Sequence, residues 1–307
     1  MSNESMIRNL LGLSRVPHSL MDVALPAFCA IAWLGSFPSV TISIIGLITA
    51  SAAYLAVYGL NDLVDLFNDR EKAKLTVANQ QGYIDAVLPI HPAAAEKLSF
   101  KAAFIWIFCL ILIALIGAYI LNPMTIVIFM AGMICEVSYC VLFKKHALRI
   151  ILSGIVKACG PIAAIFAVDN APNFMLLLLL FAAIFFWEIG GQNIPADWVD
   201  IKQDKTIAAK TFPIQYGITS TRFTIISSLV LSIIAMLVFL ATLPHAFDLF
   251  WLFIIFICGS IVLLIPAYKT FKFQDNQGAV LLFNRASSYP ICLLCIAVLH
   301  QLAFLSP

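Results

Sequence analysis

Charged residues are scarce in this sequence. Only 11% of its 307 residues are Asp, Glu, Lys or Arg, and 62% are apolar, whereas soluble globular domains contain about 25% charged and about 45–50% apolar residues. A water-soluble fold could not cover such an excess of apolar side chains, because a folded surface still needs polar groups. The composition therefore excludes a soluble domain and a disordered chain, and it indicates an integral membrane protein.

Signatures of several other protein classes are also missing. No dense basic run with interleaved aromatic residues occurs, so we expect no nucleic-acid partner. Residues 1–20 lack a compact apolar stretch followed by small residues, which argues against a cleaved signal peptide. The eight cysteines lie in apolar stretches, and the lone C-x-x-C of Cys292 and Cys295 has no second Cys or His pair, which argues against a zinc or redox site. Because no low-complexity linker divides the chain, residues 1–307 are predicted to form one domain.

Apolar stretches of about 20 residues, long enough to cross a bilayer, recur along the chain. The first contains Pro26 and Asp22, yet helices tolerate such breaks where neighbouring helices satisfy the backbone. We therefore predict an all-α membrane protein with nine transmembrane helices in a bundle around a central cavity. The predicted spans are residues 20–36, 41–61, 98–120, 123–143, 150–168, 173–193, 220–243, 248–268 and 286–304.

The basic residues are distributed unevenly across these spans. All but one of the 18 Lys and Arg residues lie on the side of the N-terminus, and the exception, Lys157, lies inside the fifth span. Positive residues accumulate on the cytoplasmic side of membrane proteins. The N-terminus and two long Asp-rich loops, 62–97 and 194–219, are therefore predicted to be cytoplasmic, in a multi-pass protein of the cell (inner) membrane. Long loops in a compact protein usually carry function.

Two matching acidic motifs follow the second and sixth spans. Residues 62–69 read DLVDLFND and residues 197–204 read DWVDIKQD, so aspartates recur at positions i, i+3 and i+7 of each motif. On a continuous helix these carboxylates would lie on one face. An even number of spans separates the motifs, which returns the chain to the same side of the membrane. We therefore predict two parallel four-helix repeats plus one further helix.

The doubled motif concentrates like charges at the membrane boundary, which is costly unless a cation offsets them. Carboxylate oxygens are the hard ligands that Mg²⁺ prefers, and Mg²⁺ usually shares its coordination shell with substrate phosphates. The two motifs, with Lys and Arg nearby, therefore suggest a site where Mg²⁺ bridges to a diphosphate. The alternative is that both acidic segments are merely solvated polar helices.

The motifs resemble those of the UbiA superfamily of intramembrane prenyltransferases. Residues 61–69 match the first family motif, NDxxDxxxD, and residues 200–204 resemble the second, DxxxD. The segment 209–217 and the pair Arg15-x-Pro17 also look like family features. The resemblance therefore spans essentially the whole chain.

The resemblance implies a membrane enzyme that transfers a prenyl group to an acceptor, commonly an aromatic or quinone-precursor ring. An allylic diphosphate would ionise to a carbocation while Mg²⁺ neutralises charge on the departing diphosphate. The expected partners are a polyprenyl diphosphate, a small-molecule acceptor and the lipid bilayer. The implied catalytic residues and Mg²⁺ ligands are Asp62, Asp65, Asp69, Asp200 and Asp204. The implied substrate-binding residues are Asn61, Lys144, Lys145, Asp197, Lys210 and Glu188.

The ionisable residues Glu136, Lys157 and Glu188 are predicted to lie well inside spans, away from their ends. Because their burial in hydrocarbon is costly, each marks a candidate functional site. Glu188 is expected to reach the pocket and to bind an acceptor hydroxyl or take a proton. Lys157 and Glu136 are expected to form a structural ion pair instead. None of the five histidines has the spacing of metal ligands, so we expect them at the membrane interface or in the core.

Other functions use similar residues. Prenyl transfer to a phosphosugar or a glycerol phosphate, and cyclisation through the same ionisation step, are alternatives within the family. For Lys144 and Lys145, the alternative to a diphosphate contact is a role as interfacial anchors. A cation transporter with an aspartate-lined path is an alternative from another class. Its acidic residues should lie at mid-membrane, often in inverted repeats, whereas the aspartates here are predicted at helix ends.

Overall fold

A computed structural model of the protein describes residues 3–75, 82–273 and 275–305, and this part of the chain is helical, without β-strands. Nine helical segments within it are long and apolar enough to cross a membrane, which confirms the predicted fold class. The nine segments are Val16–Leu34, Val40–Val64, Phe100–Leu121, Pro123–Val141, Ala147–Val168, Phe174–Val199, Phe212–Thr242, Leu249–Phe273 and Asn276–Ala303.

Several of these segments contain more than one helix. In chain order the α-helices are α1 (Asn3–Leu13), α2 (Val16–Leu34), α3 (Val40–Val64), α4 (Leu66–Leu75), α5 (Phe100–Leu121), α6 (Pro123–Val141), α7 (Ile150–Val168), α8 (Phe174–Trp187), α9 (Ile194–Val199), α10 (Ile201–Thr206), α11 (Phe212–Thr242), α12 (Leu249–Gly259), α13 (Ile265–Phe273) and α14 (Asn276–Leu305). Turns of 3₁₀-helix occupy Ile84–Val87 and Ala147–Arg149, and turns of π-helix occupy Glu188–Asn193 and Ser260–Leu264.

The helices extend beyond the predicted spans at the end of the bundle that carries the two acidic motifs, which we call the motif end. The predicted loop 194–219 is largely helical, because α9, α10 and the start of α11 occupy it. Within the predicted loop 62–97, α4 continues the chain as a helix, and residues 76–81 lie outside the described residues. Apolar length predicts only the part of a helix inside the membrane. The polar turns of these helices continue beyond it.

Prolines shape several of the membrane-spanning helices. A proline cannot donate a backbone hydrogen bond, and its ring crowds the carbonyl four residues earlier. Pro195 and Pro266 each come just after a turn of π-helix, where the backbone widens by one residue. In α14, Pro290 cannot bond to the carbonyl of Ala286, and the indole Nε1–H of Trp187 donates to that carbonyl instead, at 3.2 Å. A side chain from α8 therefore offsets the backbone bond that this proline removes.

Trp187→Phe is expected to destabilise the protein by about 1–3 kcal/mol, because it leaves the buried carbonyl of Ala286 without this donor. In a Pro290→Ala background the loss should be smaller, since the backbone N–H at position 290 can then donate to Ala286. The free energy of unfolding is measured in mixed detergent micelles for the parent, both single variants and the double variant. These four values give the coupling energy between positions 187 and 290. Equal losses in both backgrounds would contradict this compensation.

The main hydrophobic core joins α2 to the helices of the second half of the chain. Phe28 of α2 packs in one buried cluster with residues of α7, α8, α11 and α14, among them Phe239 and Tyr289. A smaller cluster, which includes Ala56 and Leu110, joins α3 to α5. A cavity of about 500 Å³ lies between these parts, with walls from α2, α3, α6 and α7. It corresponds to the predicted central cavity.

Candidate functional site

Each acidic motif contains a helix break at its second aspartate. Asp65 lies between α3 and α4 with φ −84° and ψ 4°, and Asp200 lies between α9 and α10 with φ −88° and ψ 2°. Both conformations belong to the bridge region, in which regular helix is interrupted. The expectation that each motif forms one continuous helical face is therefore wrong. The shared backbone conformation supports the interpretation that the motifs are two copies of one structural unit.

The first motif forms a compact cluster with a histidine. Asp62 is buried, with 3% of its surface exposed, and His91 Nδ1 lies 2.9 Å from both Asp62 Oδ1 and Asp69 Oδ2. One potential ligand atom from each of these three residues lies within 4.8 Å of the other two. Arg15 Nη2 donates to Asp62 Oδ1 at 3.3 Å. These residues come from three separate segments, and Asp62 is their common contact.

The two cationic residues that contact Asp62 have an uncommon backbone conformation. The φ angle is 44° at Arg15 and 47° at His91, in the left-handed region that non-glycine residues seldom adopt. Such conformations persist only where the surrounding structure enforces them, and they recur at functional sites. His91 was expected at the interface or in the core, and the structure instead places it against two motif aspartates.

The second motif is joined to the first by Lys72 of α4. Lys72 Nζ lies 2.8 Å from Asp204 Oδ1 and 3.5 Å from Asp200 Oδ2. Asp204 is buried, with 1% of its surface exposed. The remaining aspartate of the second motif, Asp197, pairs with Arg149 at 2.9 Å. Arg149 belongs to the 3₁₀ turn before α7. Because Lys72 follows the first motif by a single helical turn and contacts the second, both motifs face one site.

Burial and neighbouring charges shift the pKa values at this site in opposite directions. Burial raises the pKa of Asp204 to about 6, although Lys72 opposes the shift. Burial also disfavours the His91 imidazolium, but the Asp62 and Asp69 carboxylates outweigh it and raise the pKa of His91 to about 10. For Asp69, burial favours the neutral acid, yet His91 lowers its pKa overall. His91 is therefore a cation at neutral pH.

The donor atoms of this site suit a hard divalent cation. Asp197 Oδ2 and Asp204 Oδ2 are buried and accept no hydrogen bond from the described residues. A buried carboxylate oxygen without a partner is costly, and a cation in contact with it removes that cost. Since Mg²⁺ prefers carboxylate oxygens, the residues present fit that ion.

The lysines predicted to bind substrate lie at the rim of the site. Lys144 Nζ contacts a carboxylate oxygen of Glu71 at 2.6 Å, and both side chains are more than one-third exposed. Lys145 and Lys210 are exposed, and the backbone N–H of Lys210 donates to the carbonyl of Phe143 at 3.0 Å. Within the described residues, the cations that contact motif aspartates are Arg15, Lys72, His91 and Arg149.

The cavity begins beside the acidic motifs and extends toward the opposite end of the bundle. Its wall includes Arg15 and Asn61 at the motif end, and Phe37, Leu121 and Val168 at the opposite end. Most of the remaining lining residues are apolar. A cavity of this form suits a long apolar chain whose polar group stays at the motif end.

A second group of ionisable residues, which we call the cavity cluster, consists of Asp22, Glu136, Lys157 and Glu188, all buried. Lys157 Nζ lies 2.7 Å from Asp22 Oδ2 and 3.6 Å from Glu188 Oε2. The predicted ion pair between Lys157 and Glu136 is therefore wrong, because α2 supplies a nearer carboxylate. Glu136 accepts a hydrogen bond from Asn61 Nδ2 at 2.6 Å instead. Glu188 lines the cavity, where it can meet a bound molecule.

Comparison with known protein families gives one match over most of the chain. Residues 23–288 match the UbiA prenyltransferase family. No curated protein matches the sequence.

Solved structures with the same fold have low sequence identity to this chain. A digeranylgeranylglyceryl phosphate synthase is 17% identical, with 98% of each chain covered and a TM-score of 0.66. A UbiA homologue from Aeropyrum pernix K1 is 16% identical, with 91% of this chain and 96% of that chain covered and a TM-score of 0.69. A UbiA homologue from Archaeoglobus fulgidus, bound to GPP and Mg²⁺, is 15% identical, with 95% and 99% covered and a TM-score of 0.65. At these identities the likeness shows the fold alone.

Proposed function

The chain belongs to the UbiA prenyltransferase family, and on that premise we propose that it transfers a prenyl group from a polyprenyl diphosphate to an acceptor in a Mg²⁺-dependent reaction. The acceptor we propose is an aromatic or quinone-precursor ring. The observation that carries the proposal is the meeting of two acidic motifs, joined by Lys72, at the mouth of an apolar cavity. The A. fulgidus homologue bound to GPP and Mg²⁺ supports the same substrate class.

The motif aspartates have the positions and chemistry to hold Mg²⁺. When bound, the ion supplies positive charge that stabilises the diphosphate as a leaving group. The proposed ligands are Asp62, Asp65, Asp69, Asp200 and Asp204. The proposed diphosphate contacts are Asn61, Lys144, Lys145 and Lys210 from the sequence, with Arg15, Lys72 and Arg149 added from the structure. Asp197, which pairs with Arg149, would orient that guanidinium toward the diphosphate.

The apolar cavity gives the prenyl chain a place away from water. Water would otherwise capture the allylic cation, so its exclusion from the cavity protects the transfer reaction. Tyr58, Tyr139 and Phe283 line the cavity with polar residues of the motif end. Aromatic rings attract positive charge through their π faces, and we propose that these rings stabilise the cation.

A cation transporter fits the arrangement less well than an enzyme does. A transport path needs polar or charged groups along the whole depth of the membrane. The motif aspartates gather at one end of the bundle, and the cavity wall beyond the cavity cluster is mostly apolar. We further propose, from the distribution of Lys and Arg, that the motif end faces the cytoplasm at the cell membrane.

Turnover by the purified protein in lipid nanodiscs tests the proposed function. With geranylgeranyl diphosphate and a panel of phenolic acceptors, we expect release of diphosphate and formation of a prenylated product in Mg²⁺. Removal of the metal with EDTA should abolish both, and added Mg²⁺ should restore both, because the leaving group then regains its counter-charge. Metal-ion flux into liposomes without diphosphate release would support the transporter instead.

A further inference from the structure

The cavity cluster contains more negative than positive groups. The cavity cluster has three carboxylates, those of Asp22, Glu136 and Glu188, and one ammonium group, that of Lys157. This ammonium lies 2.7 Å from Asp22 and 3.6 Å from Glu188, while Glu136 accepts the amide of Asn61 at 2.6 Å. A molecule bound beside the cluster therefore meets an excess of negative charge.

The other cation on the cavity wall is also paired. Arg15 lines the cavity and contacts the carboxylate of Asp62 at 3.3 Å. His18, another lining residue, lies 3.7 Å from Asp22 and 3.9 Å from Asp85. Among the lining residues that the structure describes, each Lys or Arg thus has a carboxylate partner. A carboxylate bound beside the cavity cluster, away from the proposed Mg²⁺ site, would find no unpaired cation, and burying it there would be costly.

Polar atoms next to the cluster are buried without hydrogen-bond partners. Glu188 Oε2, Asn193 Oδ1 and Gln192 Nε2 lack such partners among the described residues. Their residues belong to one turn of π-helix, line the cavity and are each more than nine-tenths buried. Two of these atoms accept hydrogen bonds and one donates. They match a molecule that donates from a hydroxyl group and carries no negative charge.

The cavity cluster adjoins the end of the cavity where the diphosphate is proposed to bind. Arg15 Cζ lies 5.9 Å and Lys157 Nζ lies 5.5 Å from the centroid of the same Tyr58 ring. The Tyr58 hydroxyl donates to Asp22 Oδ2 at 2.6 Å. A molecule at the cluster would therefore lie beside the first carbon of a prenyl chain whose diphosphate is near Arg15.

We propose that the cavity cluster is the acceptor subsite, and that it selects an uncharged phenol over an aromatic acid. This inference rests on the proposed prenyl transfer and names the class of its acceptor. The phenolic hydroxyl would donate to Asn193 Oδ1 or Glu188 Oε2, which lack a hydrogen-bond partner among the described residues, although Glu188 Oε2 also lies 3.6 Å from Lys157 Nζ. An acidic substituent on the ring would be repelled by the carboxylates of the cluster.

The same placement gives Glu188 a role in the transfer. The bond between the first prenyl carbon and the diphosphate oxygen breaks, and its electron pair leaves with the diphosphate. A ring carbon of the phenol supplies the electron pair for the new carbon–carbon bond. The proton displaced from that ring carbon passes to Glu188 Oε2, which restores the aromatic ring.

Equilibrium binding of two matched probes tests the proposal. The probes are 4-hydroxybenzamide and 4-hydroxybenzoate, which share a phenol ring and differ in charge. Binding is measured by saturation-transfer NMR on the full chain in nanodiscs, with Mg²⁺ and unreactive geranylgeranyl thiolodiphosphate. We expect the amide to bind at least about tenfold more tightly than the acid, and Glu188→Gln to reduce this ratio to about threefold or less. The Gln side chain keeps the carbonyl that accepts the Ser153 hydroxyl, which donates to Glu188 Oε1 at 2.6 Å.

A matched control variant and a prior binding measurement distinguish failure of the acceptor inference from failure of the proposed function. Glu4→Gln removes an exposed carboxylate on α1 and should leave the binding ratio unchanged. Equal binding of the two probes, or failure of the amide to bind, would overturn the acceptor inference. It would also be overturned if Glu188→Gln changed the binding ratio no more than Glu4→Gln does. Mg²⁺-dependent binding of the thiolodiphosphate is measured first in the same samples. Its absence would overturn the proposed function and the acceptor inference together.

Discussion

Asp62→Asn is expected to lower the rate of prenyl transfer by about 1000-fold, because it removes a proposed ligand of the Mg²⁺ ion that would neutralise charge on the leaving diphosphate. The carboxylate of Asp62 is the contact that Arg15 and His91 share. An Asn side chain has nearly the same shape, so the fold should persist while the negative charge is lost. Diphosphate release at saturating geranylgeranyl diphosphate and Mg²⁺ measures the rate.

Asp248→Asn is the matched control for this variant. Asp248 is an exposed N-cap of α12, where its Oδ1 accepts the backbone N–H of Trp251. Asn caps a helix as well as Asp does, so the control should keep both the rate and the thermal midpoint. If Asp62→Asn, with an unchanged thermal midpoint, retains the parent rate, Asp62 has no part in the reaction.

Asp204→Asn is expected to slow prenyl transfer by about 100-fold and to raise the Mg²⁺ concentration needed for half-maximal rate by about tenfold. Asp204 is the most buried aspartate of the second motif, and its neighbour Lys72, as an ammonium cation, cannot bind Mg²⁺ in its place. Rates measured across a Mg²⁺ titration separate the two effects. The Asp62→Asn, Asp204→Asn double variant should be little slower than Asp62→Asn, because residues that act as one unit are not additive.

Asp275→Asn serves as the control for the second motif. Asp275 is exposed and its Oδ1 accepts the backbone N–H of Gly278 at 2.7 Å, a contact that Asn can also make. It should leave the Mg²⁺ dependence unchanged. Strictly additive losses in the double variant would contradict a single site shared by both motifs.

Much of the architecture could be predicted from the sequence because membrane burial imposes a strong pattern. Apolar length predicted the nine spans, and the repeated DxxxxxxD spacing predicted that residues 62–69 and 197–204 are related. What the pattern could not show is backbone conformation at single residues. The break at Asp65 and Asp200 depends on one residue adopting the bridge region, and hydrophobic periodicity does not depend on such a detail.

The partners of the site residues were harder to predict, because they depend on packing between distant segments. His91 follows Asp69 through a long connection, and its left-handed backbone brings the imidazole to the first motif. The partner of Lys157 is Asp22, 135 residues earlier in the chain, and not Glu136 as the sequence analysis predicts. Lys72 lies one helical turn after Asp69, which places it beside the first motif, but its contacts with Asp200 and Asp204 depend on the packing of α4 against α10.

We propose that carboxylates of both acidic motifs bind one diphosphate through divalent metal. A structure of the protein with Mn²⁺ and geranylgeranyl thiolodiphosphate tests it most directly, since anomalous scattering locates Mn²⁺. We expect a metal peak at about 2.1 Å from carboxylate oxygens, with ligands such as Asp62 and Asp204 drawn from both motifs and the thiolodiphosphate in contact with the metal. Metal bound away from these carboxylates, or a thiolodiphosphate at the opposite end of the bundle, would contradict it.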